Sequence, residues 1–228
     1  GLFFTSSKLH LRLVKWMVMK AVKILIVILL MVPALYSQAG KEIKLLSNAR
    51  VKDTVWVKQM LVLTGKLSES DPKATIQFLI NIQEVSRKIG FFEGMMSAYI
   101  QHIEIYLASQ KADSAALIAT RALDLARMEG NSIWIARALI QLGSATSEQG
   151  NYDRALGIFE EALTEIDTAN NRDIYASIVT NRANIRSRTG KNADAYNDYL
   201  IASFIFEEEK MFRQLAVVYN NLGWKPDR

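Results

Sequence analysis

The chain has no cysteine, only three prolines and only two histidines in 228 residues. Without cysteine there is no disulfide framework, no thiolate metal site and no thiol redox centre. Two histidines, His10 and His102, leave little room for a histidine-rich metal site. The prolines, Pro33, Pro72 and Pro226, fall where the chain changes character. Acidic residues are missing from the whole of residues 1–39, which hold Lys8, Arg12, Lys15, Lys20 and Lys23. What is abundant is apolar side chain: half the residues are hydrophobic and 22% are charged, so the chain builds a real core and is not mostly disordered.

The formal net charge is +5, with 28 Lys and Arg against 23 Asp and Glu. A nucleic acid, an anionic membrane or a leader segment would each account for such an excess. Position decides among them. The five basic residues before Gly40 make up the entire surplus, so the rest of the chain balances 23 basic residues against 23 acids. Nucleic acid is therefore not an expected partner, because affinity for it scales with the phosphates neutralised.

Met19-Lys20-Ala21-Val22-Lys23 is a short basic start, followed by the uncharged apolar run Ile24 to Val32. Pro33 breaks that run, and Ser37-Gln38-Ala39 places small residues at a cleavage site before Gly40. This grammar predicts a signal peptide over residues 19–39, with cleavage after Ala39 and a periplasmic or secreted product. The alternative is an uncleaved N-terminal membrane anchor, although nine to twelve apolar residues are short for a span of about 20. Residues 1–18 read as an upstream extension and residues 40–52 as a lead-in. No cysteine follows the apolar run, which excludes a bacterial lipoprotein anchor.

From residue 53 onward the sequence repeats every 40 residues. Thr75, Ala115, Ala155 and Ala195 are in register, as are Leu79, Ala119, Phe159 and Tyr199, and Ile82, Ala122, Ala162 and Ala202. Offsets of 0, 4 and 7 line one helical face. Each unit reads as two antiparallel helices, A and B. The expected A helices lie near 53–67, 93–109, 132–148 and 172–188, and the B helices near 72–89, 111–129, 152–168 and 192–209. Asp71, Ser132 and Asn151 open helices, and Pro72 suits a first helical position. A fifth A helix is expected near 211–223. Gly150 and Gly190 precede helix starts, while Gly90, Gly130, Asn170 and Lys210 share the register at the far ends. No stretch shows sustained two-residue alternation, so no sheet is expected.

Leu142-Gly143, then Gly150-Asn151-Tyr152-Asp153-Arg154-Ala155-Leu156, Phe159 and Ala162-Leu163 resemble a tetratricopeptide repeat. Gly190-Lys191-Asn192-Ala193-Asp194-Ala195 with Tyr199 and Ala202 agrees less closely, and Asn220-Asn221-Leu222-Gly223 restarts the motif. The resemblance covers residues 53–224 and leaves 225–228 as a tail. It implies an all-α, right-handed α-solenoid of antiparallel helix pairs, about four and a half repeats with a 40-residue period. The usual period is 34, so each unit here gains roughly one to two helical turns. Small residues early in helix B, together with Gly143, would let helix A approach closely.

The resemblance also implies a protein or peptide partner held on the concave face of the A helices. Register places Arg137, Gln141, Ser144 and Glu148 there, with Asn181, Asn184, Arg188, Asn220 and Asn221 from the following helices. Asparagine carries both a donor and an acceptor and can hold a peptide backbone, and the two arginines could pair with acidic groups. The other reading is that the asparagines bridge adjacent helices. Lysines that clamp a terminal carboxylate in one subclass are replaced by Ile140 and Thr180. Arg182, Arg186, Arg188 and Lys191 form the densest basic cluster and read as a solvated face.

No catalytic residue is expected, and no metal or cofactor. His102 and Glu104 are two apart on a helix and do not share a face, and no nucleophile arrangement, phosphate loop or dinucleotide fingerprint occurs. Met95, Met96, Phe91, Phe92 and Trp134 read as core. Glu207-Glu208-Glu209 ends a helix where the dipole disfavours acid; it reads as solvated charge, with a junction as the alternative. Lys225-Pro226 stops the last helix, leaving Val217, Val218 and Leu222 without a partner helix. Self-association through that end stays open. Export followed by long tetratricopeptide units also resembles the periplasmic sensor region of bacterial membrane-bound regulators, so a truncated sensory input domain of a two-component or transcriptional regulator is the second expectation. In that reading the membrane is met only through the signal segment or a downstream span.

Overall fold

A computed structural model describes residues 39–43, 46, 48–49 and 52–223. The expected extension, the signal segment before Ala39 and the tail lie outside the described residues. Residues 39–43 are helical. Among the described residues nine helices then follow: α1 (Thr54–Leu67), α2 (Pro72–Lys88), α3 (Phe92–Ala108), α4 (Ala112–Glu129), α5 (Ser132–Glu148), α6 (Tyr152–Thr164), α7 (Arg172–Arg188), α8 (Asn192–Glu208) and α9 (Phe212–Asn221). Among the described residues there is no strand. The odd-numbered helices are the A helices and the even-numbered ones the B helices. No helix among the described residues is long and apolar enough to cross a membrane.

The chain divides into two compact units, one ending at Thr75 and one starting at Ile76, with the division inside α2. In the first unit, Asp53 caps α1 by accepting from the Trp56 amide at 2.9 Å. The Trp56 indole N–H donates to the Leu46 carbonyl at 2.8 Å and ties the lead-in to the helix. Asp71 caps α2 through the Ala74 amide, as the sequence predicts.

The second unit contains the helix pairs α3/α4, α5/α6 and α7/α8, each packed as a hairpin, followed by α9 against α8. One continuous core runs through the first two pairs into α7, built on Met96, Ala115, Ala119, Leu139, Ala155, Phe159 and Ile178. A second cluster joins α7, α8 and α9 around Ala183, Ala195, Tyr199, Ala202 and Val218. Val218 is fully buried and Leu222 half-buried, so of the three residues expected to lack a partner only Val217 stays exposed. The close approach expected at Gly143 is present. A Cβ built there would run into Cε1 of Phe159 and lie 2.8 Å from its Cδ1, so the ring occupies the space a side chain would need.

Helix ends follow the predicted register within a residue or two, with one clear exception. α6 stops at Thr164, not near 168. Asp167 offers its carboxylate to the Ala169 amide and to Asn170 Nδ2, and its carbonyl to Asn171 Nδ2, so a local turn outcompetes the last helical turn. Two caps also differ. Asn131, ahead of Ser132, caps α5 through the Trp134 amide, while Asn151 occupies the cap position of α6 without a side-chain bond.

Left-handed residues end the helices at Gly90, Gly130, Gly150 and Gly190, and at Gln110 and Lys210, whose φ values are 56° and 57°. Gln110 shares the register of Gly150 and Gly190, and Lys210 that of Gly90 and Gly130. A residue with a Cβ is disfavoured there, partly offset by glycine's greater freedom in the unfolded chain. Gln110→Gly and Lys210→Gly should each stabilise the fold by about 0.5–1 kcal/mol, read as a higher urea midpoint. An unchanged or lowered midpoint would show that neither position is strained.

Candidate functional site: the face of the A helices

Successive A helices touch, α3 on α5 and α5 on α7, whereas no two B helices pack to that extent among the described residues. The A face of the second unit gathers most of the residues expected to hold a ligand. They are largely bonded to one another. Arg137 on α5 pairs with Asp173 on α7 at 3.1 Å, its guanidinium 5.7 Å from the centre of the Trp134 ring. Ser144 Oγ donates to the Ile140 carbonyl at 2.8 Å and lies 3.3 Å from Asn181 Oδ1, while Asn181 Nδ2 donates to the Ser177 carbonyl. Arg188 pairs with Glu148 at 2.8 Å, and that hydrogen bond raises its already high pKa further.

Asn184 Oδ1 accepts from the Tyr199 hydroxyl at 2.6 Å and from Asn221 Nδ2 at 3.0 Å. Burial pushes the Tyr199 hydroxyl above its ordinary pKa, which keeps it a donor. Gln141 is half-buried on the same face and Asn220 is exposed on α9. Four bridges thus join consecutive A helices: Arg137 to Asp173, Ser144 to Asn181, Glu148 to Arg188 and Asn184 to Asn221. The partners are 36 to 40 positions apart, which is the repeat period read across the array. The residues that could meet a ligand also set the spacing of the face.

The expectation of a solvated basic face needs correction. Asp198 on α8 is buried, and Arg182 grips both its oxygens, at 3.0 and 2.9 Å, while Arg186 reaches it at 2.6 Å. The hydrogen bond to Asp198 raises the Arg182 pKa. Only Arg188 and Lys191 of that cluster are exposed. The repeat register explains the site. Arg182 stands where Leu142 stands one unit earlier, and Asp198 where Ile158 stands, so an ion pair occupies a hairpin position that is apolar in the preceding unit. This signal was present in the sequence as paired departures at matching positions.

His102 occupies the same register position as Leu142 and Arg182. It is buried, with neither ring nitrogen bonded, and its ring lies 4.8 Å from that of Tyr106. Desolvation lowers its pKa. Since the folded state then binds the proton less readily than the unfolded chain, His102 adds no penalty above pH about 6.5 and stability falls as pH drops below that value toward the folded pKa. His102→Leu should stabilise the fold by about 1–3 kcal/mol, by removing two buried unbonded polar atoms. It should also flatten the dependence of urea midpoints on pH below about 6.5. A variant with the parent's pH dependence would show that the histidine is not its source.

Glu104, also on α3, is exposed to water, yet the surrounding protein raises its carboxyl pKa and the Arg213 guanidinium on α9 opposes the rise. Glu104 and Arg213 belong to the first and last A helices of the second unit. Sequence reasoning placed neither in the site, although Glu104 shares the register of Ser144 and Asn184. Among the described residues no group of acidic or histidine side chains is placed to hold a metal.

The sequence profile described as "Tetratricopeptide repeat" matches residues 94–164. No curated protein matches the chain in sequence. Two solved structures are similar in fold. One is a Signal Transduction ATPase with Numerous Domains (STAND) protein with a tetratricopeptide repeat sensor from Pyrococcus horikoshii, with TM-score 0.59 and 17% identity over 79% of this chain. This chain spans 28% of that protein's length. The other is BtubC (BKLC) from P. vanneervenii, with TM-score 0.62 and 16% identity over 85% of both chains. Residues 94–164 are therefore similar to tetratricopeptide repeats, and the fold of the described residues is an all-α solenoid of tetratricopeptide-like helix pairs.

Proposed function

We propose that the chain is a non-enzymatic, exported scaffold that holds a protein segment or peptide on the inner face of its A helices. The observation that carries this reading is the polar row itself: the A helices α3, α5 and α7 pack on one another, and Ser144, Asn181, Asn184 and Asn221 line up from helix to helix at about the repeat period. That face offers amides and hydroxyls from Gln141, Ser144, Asn181, Asn184 and Asn221, with Arg137 and Arg188 at its edges. Polar side chains of mixed donor and acceptor character suit an extended backbone more than an apolar ligand. The pairing of both arginines with acids argues against a strongly acidic partner.

A peptide-display selection against the immobilised protein tests the site. Selected peptides should bind the triple variant Asn181→Ala, Asn184→Ala, Asn221→Ala at least about tenfold more weakly, a loss of about 1.4 kcal/mol, with helicity retained. Equal binding would leave the asparagines as bridges between helices and nothing more. Export is tested by N-terminal sequencing of the native product, where an end at Gly40 is expected and a mature end well before it would defeat the reading.

A second reading, the sensory input domain of a larger regulator, is favoured by the likeness in fold to the STAND protein with its tetratricopeptide repeat sensor. The coding region downstream of Arg228 separates the two. A membrane span and output domain there would support a sensor, and a stop codon would support a free scaffold.

A further inference from the structure

The outer surface of α8 departs from that of every B helix before it. Tyr196, Leu200, Ile201 and Phe204 are 55, 44, 40 and 58% exposed. The positions of Leu200 and Phe204 are exposed in every unit and that of Ile201 in all but one, where Glu161 is half-buried, and they hold mainly polar residues elsewhere. Phe204 corresponds to Thr164, Asp124 and Glu84, Ile201 to Glu161, Arg121 and Asn81, and Leu200 to Glu160, Thr120 and Ile80. Glu160 and Thr164 are exposed although helix pairs stand on either side of α6, and Thr120, Ile80, Asp124 and Glu84 are exposed as well. Stacking of a further repeat therefore does not explain the apolar residues of α8. Only Tyr196 occupies a position that neighbouring units half-bury, as at Leu156 and Ala116.

Residues 196, 200 and 204 are one turn apart and form a stripe, which Glu207 continues three residues further on. Glu207 is exposed at a helix C-terminus, where the dipole disfavours an acid. The adjacent acids Glu208 and Glu209 are held by Arg172. At the other end of the stripe, α8 begins behind Lys191 with no side-chain cap, so its first amides receive no bond from that residue.

We propose that α8 is the contact surface for a second copy of this chain, with the two α8 helices antiparallel about a twofold axis at Leu200. In that arrangement Leu200 meets its own counterpart and Tyr196 of each copy meets Phe204 of the other, an aromatic pair at each side of the axis. Glu207 then lies against the first turn of the opposite α8, where uncapped amides, the positive end of the helix dipole and Lys191 receive it. One antiparallel register thus covers the apolar stripe and pairs the acid with the complementary helix end. The four side chains offer on the order of 400 Å² per copy, against about 800 Å² in a standard interface, so the dimer is a transient, concentration-dependent one. The inference stands apart from the peptide-binding reading, since it uses a B helix and none of the A-face residues.

Sedimentation across a concentration series tests it. The mass should rise from one chain to two, and Phe204→Glu should hold it at one with unchanged helicity. Glu207→Lys should weaken the dimer at least about tenfold while leaving the monomer as stable or more so, because a cation suits a helix C-terminus. Lys191→Glu should weaken it too, and the two changes together should restore it. With no native cysteine in the chain, Leu200→Cys should give a disulfide-linked dimer under oxidation, whereas Leu117→Cys, on the exposed face of α4, should not. A chain that stays monomeric at every concentration, or a Phe204→Glu variant that still dimerises, overturns the proposal. Flotation of the parent, but not of Phe204→Glu, with phosphatidylcholine vesicles in the absence of any dimer would assign the stripe to lipid and overturn it as well.

Discussion

Gly143→Ala is expected to destabilise the fold by about 1–3 kcal/mol, the usual cost of overpacking a well-filled core. Alanine is the better helix former, and in an exposed helix the same change would stabilise by about 1 kcal/mol. Here the added methyl would collide with Cε1 of Phe159 and sit 2.8 Å from its Cδ1. The ring is 1% exposed and encircled by the core that joins α3–α7, so it has no free space to enter. Either α5 and α6 move apart or the ring leaves its preferred rotamer. Thermal unfolding of Gly143→Ala checks the sign, and Phe159→Leu in the same chain should recover part of the loss. A midpoint equal to or above the parent's would mean that the α5/α6 approach is not as close as the glycine implies.

Removing Asp198 should cost about 2–3 kcal/mol, below the 3–5 kcal/mol typical of breaking a fully buried pair. The discount reflects the surroundings. Arg182 keeps 17% of its side chain exposed and has Glu160 at 3.6 Å, and Arg186 is 30% exposed, so both cations can recover some hydration. Asp198→Ala leaves two guanidinium groups side by side with no shared acceptor, between helices that form one of the tightest hairpins of the array. Replacing the set by the apolar pattern of the preceding unit, Arg182→Leu with Asp198→Ile, should restore most of the loss, because a well-packed apolar pair can match a buried ion pair. Urea midpoints of the single and double variants decide this. A double variant as unstable as Asp198→Ala would show that the site depends on the charges for more than filling space.

Much of the architecture was legible because it is local and repeated. The cap at Asp71, the proline after it and the small residues at 115, 155 and 195 each act over a few residues and recur at a common spacing. Agreement across copies replaces the tertiary information that a single helix lacks. Where prediction failed, a local competitor had been overlooked or a long-range partner was needed. Asp167 ended α6 early by drawing nearby donors into a turn. Arg182 and Arg186 looked solvated because four cations in ten residues ordinarily are, while their shared acceptor lies 12 and 16 positions away on another helix.

The A-face residues show the same division. Register could place Arg137, Ser144, Asn181, Asn184 and Asn221 on one side of the array. It could not show that they bond in pairs from helix to helix, since that depends on the distance between successive A helices. His102 is similar: the repeat marks it as standing at a leucine position, but only packing shows both ring nitrogens without a partner.

The sequence alone determined that all surplus positive charge lies before Gly40, that the rest of the chain is neutral, and that it folds as 40-residue helix pairs without a sheet. Composition, capping and periodicity suffice for these because they are sums over the chain or act within a few turns. Tertiary structure alone decided which polar residues face water and which face one another. It buried Asp198 between two arginines, spent Arg137 and Arg188 on bridges between A helices, and left Tyr196, Leu200, Ile201 and Phe204 uncovered. The physical reason is that hydration and pairing depend on neighbours some 12 to 40 positions away, and their positions are set by how each hairpin packs on the next.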